Sequence, residues 1–291
     1  MTFTDVTGAG ATSAPGTVLV LGGTGKTGRR VVARLRALGV ETHAASRSGD
    51  RPFDWSAPGT WRAALSGVDA VYIVGPEGSP SPTPAFVEQA VESGVRRLVL
   101  LSARGVDSPG HLSEAVGAPH RESEAAVRAS GVAWTILRPG WFAQNFSEGV
   151  FLDGVRGGEL ALPTGDGTAA FIDADDIAAV AVAALTEDGH GGKVYELSGP
   201  RALSISDVLD EIAKVTGVRA SYVPVDPTAY QAGLVAQGMH TEDAKVWTEA
   251  MEPILTSLEA PLTDGVRQAL GRPPRDFADF ARAAAAAGAW A

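Results

Sequence analysis

An α/β fold, in which a doubly wound parallel sheet precedes a smaller and mostly helical C-terminal part, is predicted by three features of the sequence. From Thr17 onward, short β-branched runs alternate with longer segments of helical period, the pattern of repeated βαβ units. Glycines stand just past the ends of four of those helical segments. A glycine-rich loop follows the first strand and opens the first helix. Length and composition agree, since 291 residues with 45% hydrophobic and 20% charged side chains can bury a large core with a smaller appendage.

The predicted strands are residues 17–21, 40–46, 70–74, 97–101 and 133–137, each an apolar run bounded by Gly, Pro, Ser or charge. The predicted helices between them are residues 25–38, 60–65, 84–93 and 113–130, closed by Gly39, Gly67, Gly94 and Gly131. In an open parallel sheet ligands gather at the carboxyl ends of the strands. Function is therefore sought just after Leu21, Ser46, Val74, Leu101 and Leu137.

Beyond Gly140 the pattern becomes irregular, with a Gly-rich stretch at 154–167, a strand-helix pair over 170–185 and a strand at 193–197. A mostly helical remainder follows, with helices at 204–216, 228–238, 242–257 and the last Ala-rich turn, and a strand at 220–225. The expected organisation is a flexible tail over 1–16 and a nucleotide-binding domain over 17–140, completed by about 168–199. A substrate-binding domain would comprise 141–167 and 200–291. The tail is rich in Thr, Ala, Gly and Ser and lacks both a basic start and an apolar run.

A formal charge of −10 gives little attraction for phosphate backbones or anionic lipid, so neither nucleic acid nor membrane is an expected partner. No apolar run approaches the roughly 20 residues that a membrane span needs. With no cysteine in the chain, thiolate nucleophiles and Cys-ligated zinc are excluded, and a reducing, cytoplasmic setting is compatible.

The glycines of the first loop fall at Gly22, Gly25 and Gly28, between a strand and a helix. Such spacing permits a tight turn, a close approach of backbone N–H groups to a pyrophosphate, and close helix-strand packing. A Rossmann-type dinucleotide site is the reading, with Thr24, Lys26 and Thr27 also facing the cofactor. A nucleoside-triphosphatase loop would need a further glycine five residues before Gly25, where Val20 stands. At the end of the second strand, where an NAD(H) site places an acidic residue, the chain has Ser46-Arg47-Ser48. A guanidinium flanked by hydroxyls suits a 2′-phosphate, which favours NADP(H) over NAD(H).

These residues, together with Phe53-Asp54-Trp55, Val71 to Pro76, Leu100-Leu101-Ser102, Trp134 to Phe142, Phe171-Ile172-Asp173, Asp176-Ile177-Ala178 and Tyr195 to Pro200, resemble the atypical short-chain dehydrogenases of the NmrA-like group. The ergot-alkaloid reductase-like and quinone-reductase-like members are the nearest in pattern, and the likeness spans Thr17 to about Phe280. The resemblance implies that Asp54 and Trp55 lie beside the adenine. It also implies that Val74, Gly75 and Pro76 run along the ribose and diphosphate, that Pro139 to Phe142 lie near the nicotinamide, and that a small substrate-covering domain follows Gly140.

The chain departs from the group's catalytic pattern. Short-chain dehydrogenases generally carry Tyr-x-x-x-Lys on the helix before the sixth strand. If Glu124 matches the acidic position that follows, Val116 replaces the tyrosine and His120 the lysine. His120, as general acid or as a partner of the cofactor ribose, and Ser102 at the end of the fifth strand are the catalytic candidates. Trp141, Phe142 and Asn145 offer stacking faces and an amide for a flat, conjugated substrate. Asp173, Asp175 and Asp176 sit at a strand-to-helix junction and are read as helix capping, with no metal.

Two functions follow. The first is an NADPH-dependent oxidoreductase that delivers hydride to a small unsaturated electrophile, a quinone, an iminium or an enone, acting as a monomer or homodimer. The second is a regulatory protein of the NmrA type that senses NADP without turnover.

Overall fold

The computed structural model describes residues 16–76, 78 and 80–291, so that the tail expected at 1–16 lies, apart from Gly16, outside the described residues. In chain order the strands are β1 (Thr17–Leu21), β2 (Glu41–Ser46), β3 (Arg51–Pro52), β4 (Ala70–Val74), β5 (Arg97–Leu101), β6 (Ala133–Pro139), β7 (Glu159–Leu162), β8 (Thr168–Ala169), β9 (Lys193–Leu197), β10 (Leu203–Ser204) and β11 (Ser221–Pro224). The helices are α1 (Lys26–Ala37), α2 (Trp61–Ala64), α3 (Thr83–Glu92), α4 (Glu114–Ala129), α5 (Leu152–Gly157), α6 (Ala174–Thr186), α7 (Ile205–Thr216), α8 (Pro227–Ala236), α9 (Thr241–Ala250), α10 (Glu252–Leu255), α11 (Gly265–Leu270) and α12 (Phe277–Ala286).

Seven strands form one parallel sheet in the order β3-β2-β1-β4-β5-β6-β9. The order reverses between β1 and β4, which opens a crevice at their carboxyl ends. Side chains alternate across each strand. Val18, Val20, Tyr72, Val99 and Leu137 meet α1, α6 and α11 on one face, while Leu19, Leu21, Ile73, Leu100 and Ile136 meet α2, α3 and α4 on the other. Both faces are covered, which is why these strands read as nearly continuous apolar runs. Gly39, Gly67, Gly94 and Gly131 all take a left-handed φ, as helix-stop glycines do.

A second core gathers Phe146, Phe151, Leu160, Phe171, Ile205, Phe277, Phe280 and Trp290 around the small pairs β7–β11 and β8–β10. Here the structure revises three sequence expectations. The stretch at 154–167 is ordered into the end of α5 and β7, because Val155, Leu160 and Leu162 bury in this core despite the neighbouring glycines. The helix expected over 242–257 divides at Met251 into α9 and α10, with Pro253 in the first turn of α10, where its missing N–H costs nothing. Short α11 was not expected at all, and its Val266 packs against the main sheet rather than the second core. Among the described residues no helix is long and apolar enough to cross a membrane.

Candidate active site

The glycine loop joins β1 to α1. Gly22 turns the chain at φ 62°, and its carbonyl accepts the N–H of Gly25 at 2.8 Å. The three glycines are required for different reasons. A Cβ on Gly28 would lie 2.1 Å from the Gly22 carbonyl oxygen, so the third glycine lets α1 close on the loop. A Cβ on Gly25 would meet only that oxygen, at 3.2 Å, and Thr24 and Gly25 are exposed. The space in front of Gly25 is thus open, and the first-turn N–H groups of α1, from Lys26 to Gly28, point into it. Thr27 is buried beneath the loop.

At the end of β2 the Ser46 hydroxyl accepts the N–H of Ser48 at 3.2 Å, and Arg47 projects into solvent. The nearby Asp50 is occupied elsewhere, accepting from the Ala44 N–H at 2.7 Å and from Arg36 at 2.6 Å. Asp54 caps its own turn through the Ser56 hydroxyl and N–H, bonds that hold its carboxyl below the usual range. Trp55 stands half-buried in an aromatic group with Phe53, Trp61 and Phe86, and its indole N–H donates to the Val74 carbonyl at 3.2 Å. The predicted adenosine-side residues, including Val74, Gly75 and Pro76 at the end of β4, therefore share one rim of the crevice.

The other half of the crevice lies over β5 and β6 and contains the catalytic candidates. Ser102 is 5% exposed, and its hydroxyl donates to Glu124 at 2.7 Å. Arg138, from the adjacent strand β6, grips the same carboxylate with two bonds of 2.8 and 2.6 Å and reaches Asp107 at 2.5 Å. Burial opposes the charge on Glu124, but hydrogen bonds from Arg138 and Ser102 prevail and hold its pKa below the ordinary value. The Ser102 proton is thus directed at a carboxylate. His120 sits one helical turn before Glu124 and makes no hydrogen bond with the described residues. Burial lowers its pKa more than Glu124 raises it, leaving a neutral imidazole at neutral pH.

After buried Pro139 the chain leaves the sheet, and successive side chains turn to opposite sides. Trp141 packs on the second core, with its ring stacked on Phe151 at 5.9 Å. Phe142 packs against the main core and bridges to Ile172. Both rings stay partly exposed, Phe142 on the main core and Trp141 on the second. Gln144 fixes this exit by donating to Asp173 at 2.7 Å and accepting the N–H of Ala174 at 2.7 Å. Asp173 caps α6 by accepting from the Asp175 N–H, and Asp173, Asp175 and Asp176 all pair with arginines, a capping and ion-pairing role.

Lys26 and Asn145, expected at the cofactor and the substrate respectively, meet directly, with the ammonium donating to the amide oxygen at 2.8 Å. Burial and the nearby Arg29 lower the pKa of Lys26. Glu148 pairs with Arg29 and Arg30 of α1, so the segment after Asn145 is tied to the start of the phosphate-loop helix.

Three groups were not singled out from the sequence. One is the knot of Glu124, Arg138 and Asp107, whose members lie far apart along the chain; only the i+4 spacing of His120 and Glu124 hinted at it. Another is Arg104, His111 and Glu259, all nearly buried beside Gly140. Here His111 meets Glu259 at 2.8 Å, and Arg104 donates to the carbonyls of Glu259 and Pro261. The third is Trp247 on α9, 6.0 Å from the Trp141 ring, with Tyr230 of α8 beside it.

The loop is chemically suited to a dinucleotide, with an open cradle at Gly25, free N–H groups on α1 and a partly desolvated ammonium at Lys26. When bound, a reduced nicotinamide cofactor supplies hydride.

Comparison with known proteins agrees. A family model described as NAD(P)H-binding matches residues 22–188. The chain is 33% identical over 287 residues to an NAD(P)H azoreductase of Xenophilus azovorans, covering 93% of this chain and 98% of that protein. It is 32% identical over 282 residues to an agroclavine dehydrogenase of Claviceps fusiformis, covering 91% and 96%. The fold is shared with the triphenylmethane reductase of Citrobacter sp. complexed with NADP(H), at a TM-score of 0.73 and 18% identity over 92% of this chain and 99% of that one. Both sequence relatives are named for redox catalysis, which does not favour the regulatory reading. The match spans the cradle and both halves of the crevice, and the chain belongs to the NAD(P)H-binding family as an atypical short-chain dehydrogenase/reductase of the NmrA-like type, an NAD(P)H-dependent oxidoreductase.

Proposed function

We propose that this reductase prefers NADPH and passes hydride to a small, planar, unsaturated acceptor, a quinone, an iminium or an enone. The observation that carries the reading is an open dinucleotide cradle joined to a second half-site that lacks the usual proton-donating tyrosine, Val116 standing in its place. Acceptors with delocalised electron deficiency take hydride through orientation and electrostatics, and a proton that they need comes from a group other than that tyrosine.

Residue roles follow from the chemistry of each group. Lys26 and the loop N–H groups hold the pyrophosphate, and Arg47 with Ser46 holds the 2′-phosphate. Neutral His120 donates to the nicotinamide-side ribose and does not act as the acid. Ser102 orders the floor of the site through Glu124. Asn145, while accepting from Lys26, keeps its amide N–H groups for substrate or cofactor. The 141–167 and 200–291 segments form the substrate-covering part, and the unit acts as a monomer or homodimer.

The test is reduced-cofactor oxidation, with NADPH and NADH in parallel, against a panel of quinones, cyclic iminium ions and enones, for the parent and Arg47→Ala. Turnover of at least one acceptor is expected. Arg47→Ala should weaken NADPH by about 1.5 to 3 kcal/mol, the worth of charged hydrogen bonds, while sparing NADH. Equal loss for both cofactors would remove the NADPH preference, and no turnover of any acceptor would remove the acceptor class.

A further inference from the structure

The helical hairpin α8–α9 carries a hydroxyl that the roles assigned above leave unused. No residue of α8 is buried, and α8 packs chiefly on α9, which in turn rests on α4, the helix of His120. From α9, the Trp247 indole N–H donates to the Tyr230 hydroxyl oxygen at 3.2 Å. The Trp247 ring meets Trp141 edge to face, at 6.0 Å and 66°. Trp141 is the second residue beyond the end of β6. Tyr230 and Trp247 are thus linked to the exit of β6 through one aromatic contact, and both pack, with Trp141, against the second core.

Tyr230 accepts from Trp247, and its own O–H proton has no acceptor among the described residues. The Ser102 hydroxyl, at the end of β5, gives its proton to Glu124. Resting on the reductase reading above, we propose that Tyr230, oriented by Trp247, is the group that protonates the carbonyl oxygen of a planar quinone or enone lying against Trp141. The step balances. Hydride adds to the electrophilic end of the conjugated system, the displaced electron pair settles on the carbonyl oxygen, and the Tyr230 proton transfers to that oxygen. Solvent then restores the phenol, so that one acceptor, one reduced nicotinamide and one proton give the reduced acceptor and the oxidised nicotinamide. Burial holds the Tyr230 pKa above its ordinary value, which keeps it protonated at working pH, and the Trp247 N–H offsets part of that shift. The position is supplied by the covering hairpin, in a chain whose sheet-side helix has lost its tyrosine.

The test compares menadione, whose reduction consumes a proton, with N-methylacridinium, a cation that takes hydride and no proton, in the parent, Tyr230→Phe and Trp247→Phe. Tyr230→Phe should slow menadione reduction by roughly 10²-fold, the usual worth of general acid catalysis, and leave acridinium reduction within about twofold. Trp247→Phe keeps an aromatic ring while removing the orienting N–H, and should slow menadione selectively by a smaller factor. Independently of turnover, quenching of tryptophan emission by menadione in the cofactor-free protein should require about five- to tenfold more menadione for Tyr230→Phe, the loss of one hydrogen bond. Unchanged menadione reduction in Tyr230→Phe, or an equal fall with both acceptors, overturns the proposal. A parent that reduces neither acceptor, yet binds menadione in a Tyr230-dependent way, overturns the acceptor class proposed above and leaves the placement of Tyr230 standing.

Discussion

Gly25→Val is expected to abolish dinucleotide binding and all cofactor oxidation while leaving a folded protein. Gly25 has φ −77° and ψ 179°, an extended conformation that a side chain adopts without strain. Its Cβ would touch only the Gly22 carbonyl oxygen, at 3.2 Å, so the apo fold loses about 1 kcal/mol at most, the scale of an N-cap substitution. The branched side chain would instead fill the space before the first N–H groups of α1, where the pyrophosphate must approach. Losing two charge-assisted hydrogen bonds of about 1.5 to 3 kcal/mol each weakens binding by at least about 10²-fold. Calorimetric titration with NADPH measures the affinity, and a thermal melt establishes that the variant is folded. Retained tight binding would mean that the loop is not the phosphate site. Gly28→Ala serves as the contrast, because its Cβ meets backbone at 2.1 Å and should damage the fold itself.

Arg138→Met is expected to lower stability by about 3 to 5 kcal/mol, the cost of leaving one member of a buried ion pair without its partner. Arg138 is 5% and Glu124 3% exposed, so Glu124 would keep only Ser102 and the half-exposed Arg128. The pH dependence has a definite sign. In the parent, the folded pKa of Glu124 is depressed, so its stabilising contribution is present above the ordinary glutamate pKa and is lost as pH falls through the folded value. In Arg138→Met the same carboxyl, buried without the guanidinium, should have a raised pKa, and acidification should relieve it. The stability gap between variant and parent, measured by denaturant unfolding, should therefore narrow from neutral pH toward the carboxylate range. Pairing Arg138→Met with Glu124→Leu should recover much of the stability, since an apolar pair of similar volume avoids the desolvation cost. A gap that stays constant with pH would show that the knot is not held by the charge of Glu124.

The sheet was legible because its determinants are local: five of the strands, the helices between them and their glycine stops are each written within a dozen or so residues. The glycine loop was legible for the same reason, and Ser46-Arg47 followed from its position at a strand end. What escaped depends on residues brought together by the fold. Ser102, Glu124 and Arg138 belong to three different elements, and no periodicity connects them. Lys26 and Asn145 were each named for a ligand, yet their separation of 119 residues concealed that they bond to one another. Phe142 and Trp141 look equivalent in sequence, and only the alternation of side chains at the exit of β6 sends one to the main core and the other to the second core. Tyr230 and Trp247 lie on helices whose apolar faces read as ordinary amphipathic surface, and their proximity to β6 emerges only from the way α9 rests on α4.

A crystal structure grown with NADPH is the most direct test of whether the crevice across β1 and β4 is the cofactor site. The expected density places the pyrophosphate against the loop from Gly22 to Gly28, the 2′-phosphate within hydrogen-bond reach of Arg47, and the nicotinamide over the ends of β5 and β6, between His120 and Trp141. A dinucleotide lying in the opposite direction, with its nicotinamide at the end of β2, or one bound away from the carboxyl ends of the strands, would contradict it.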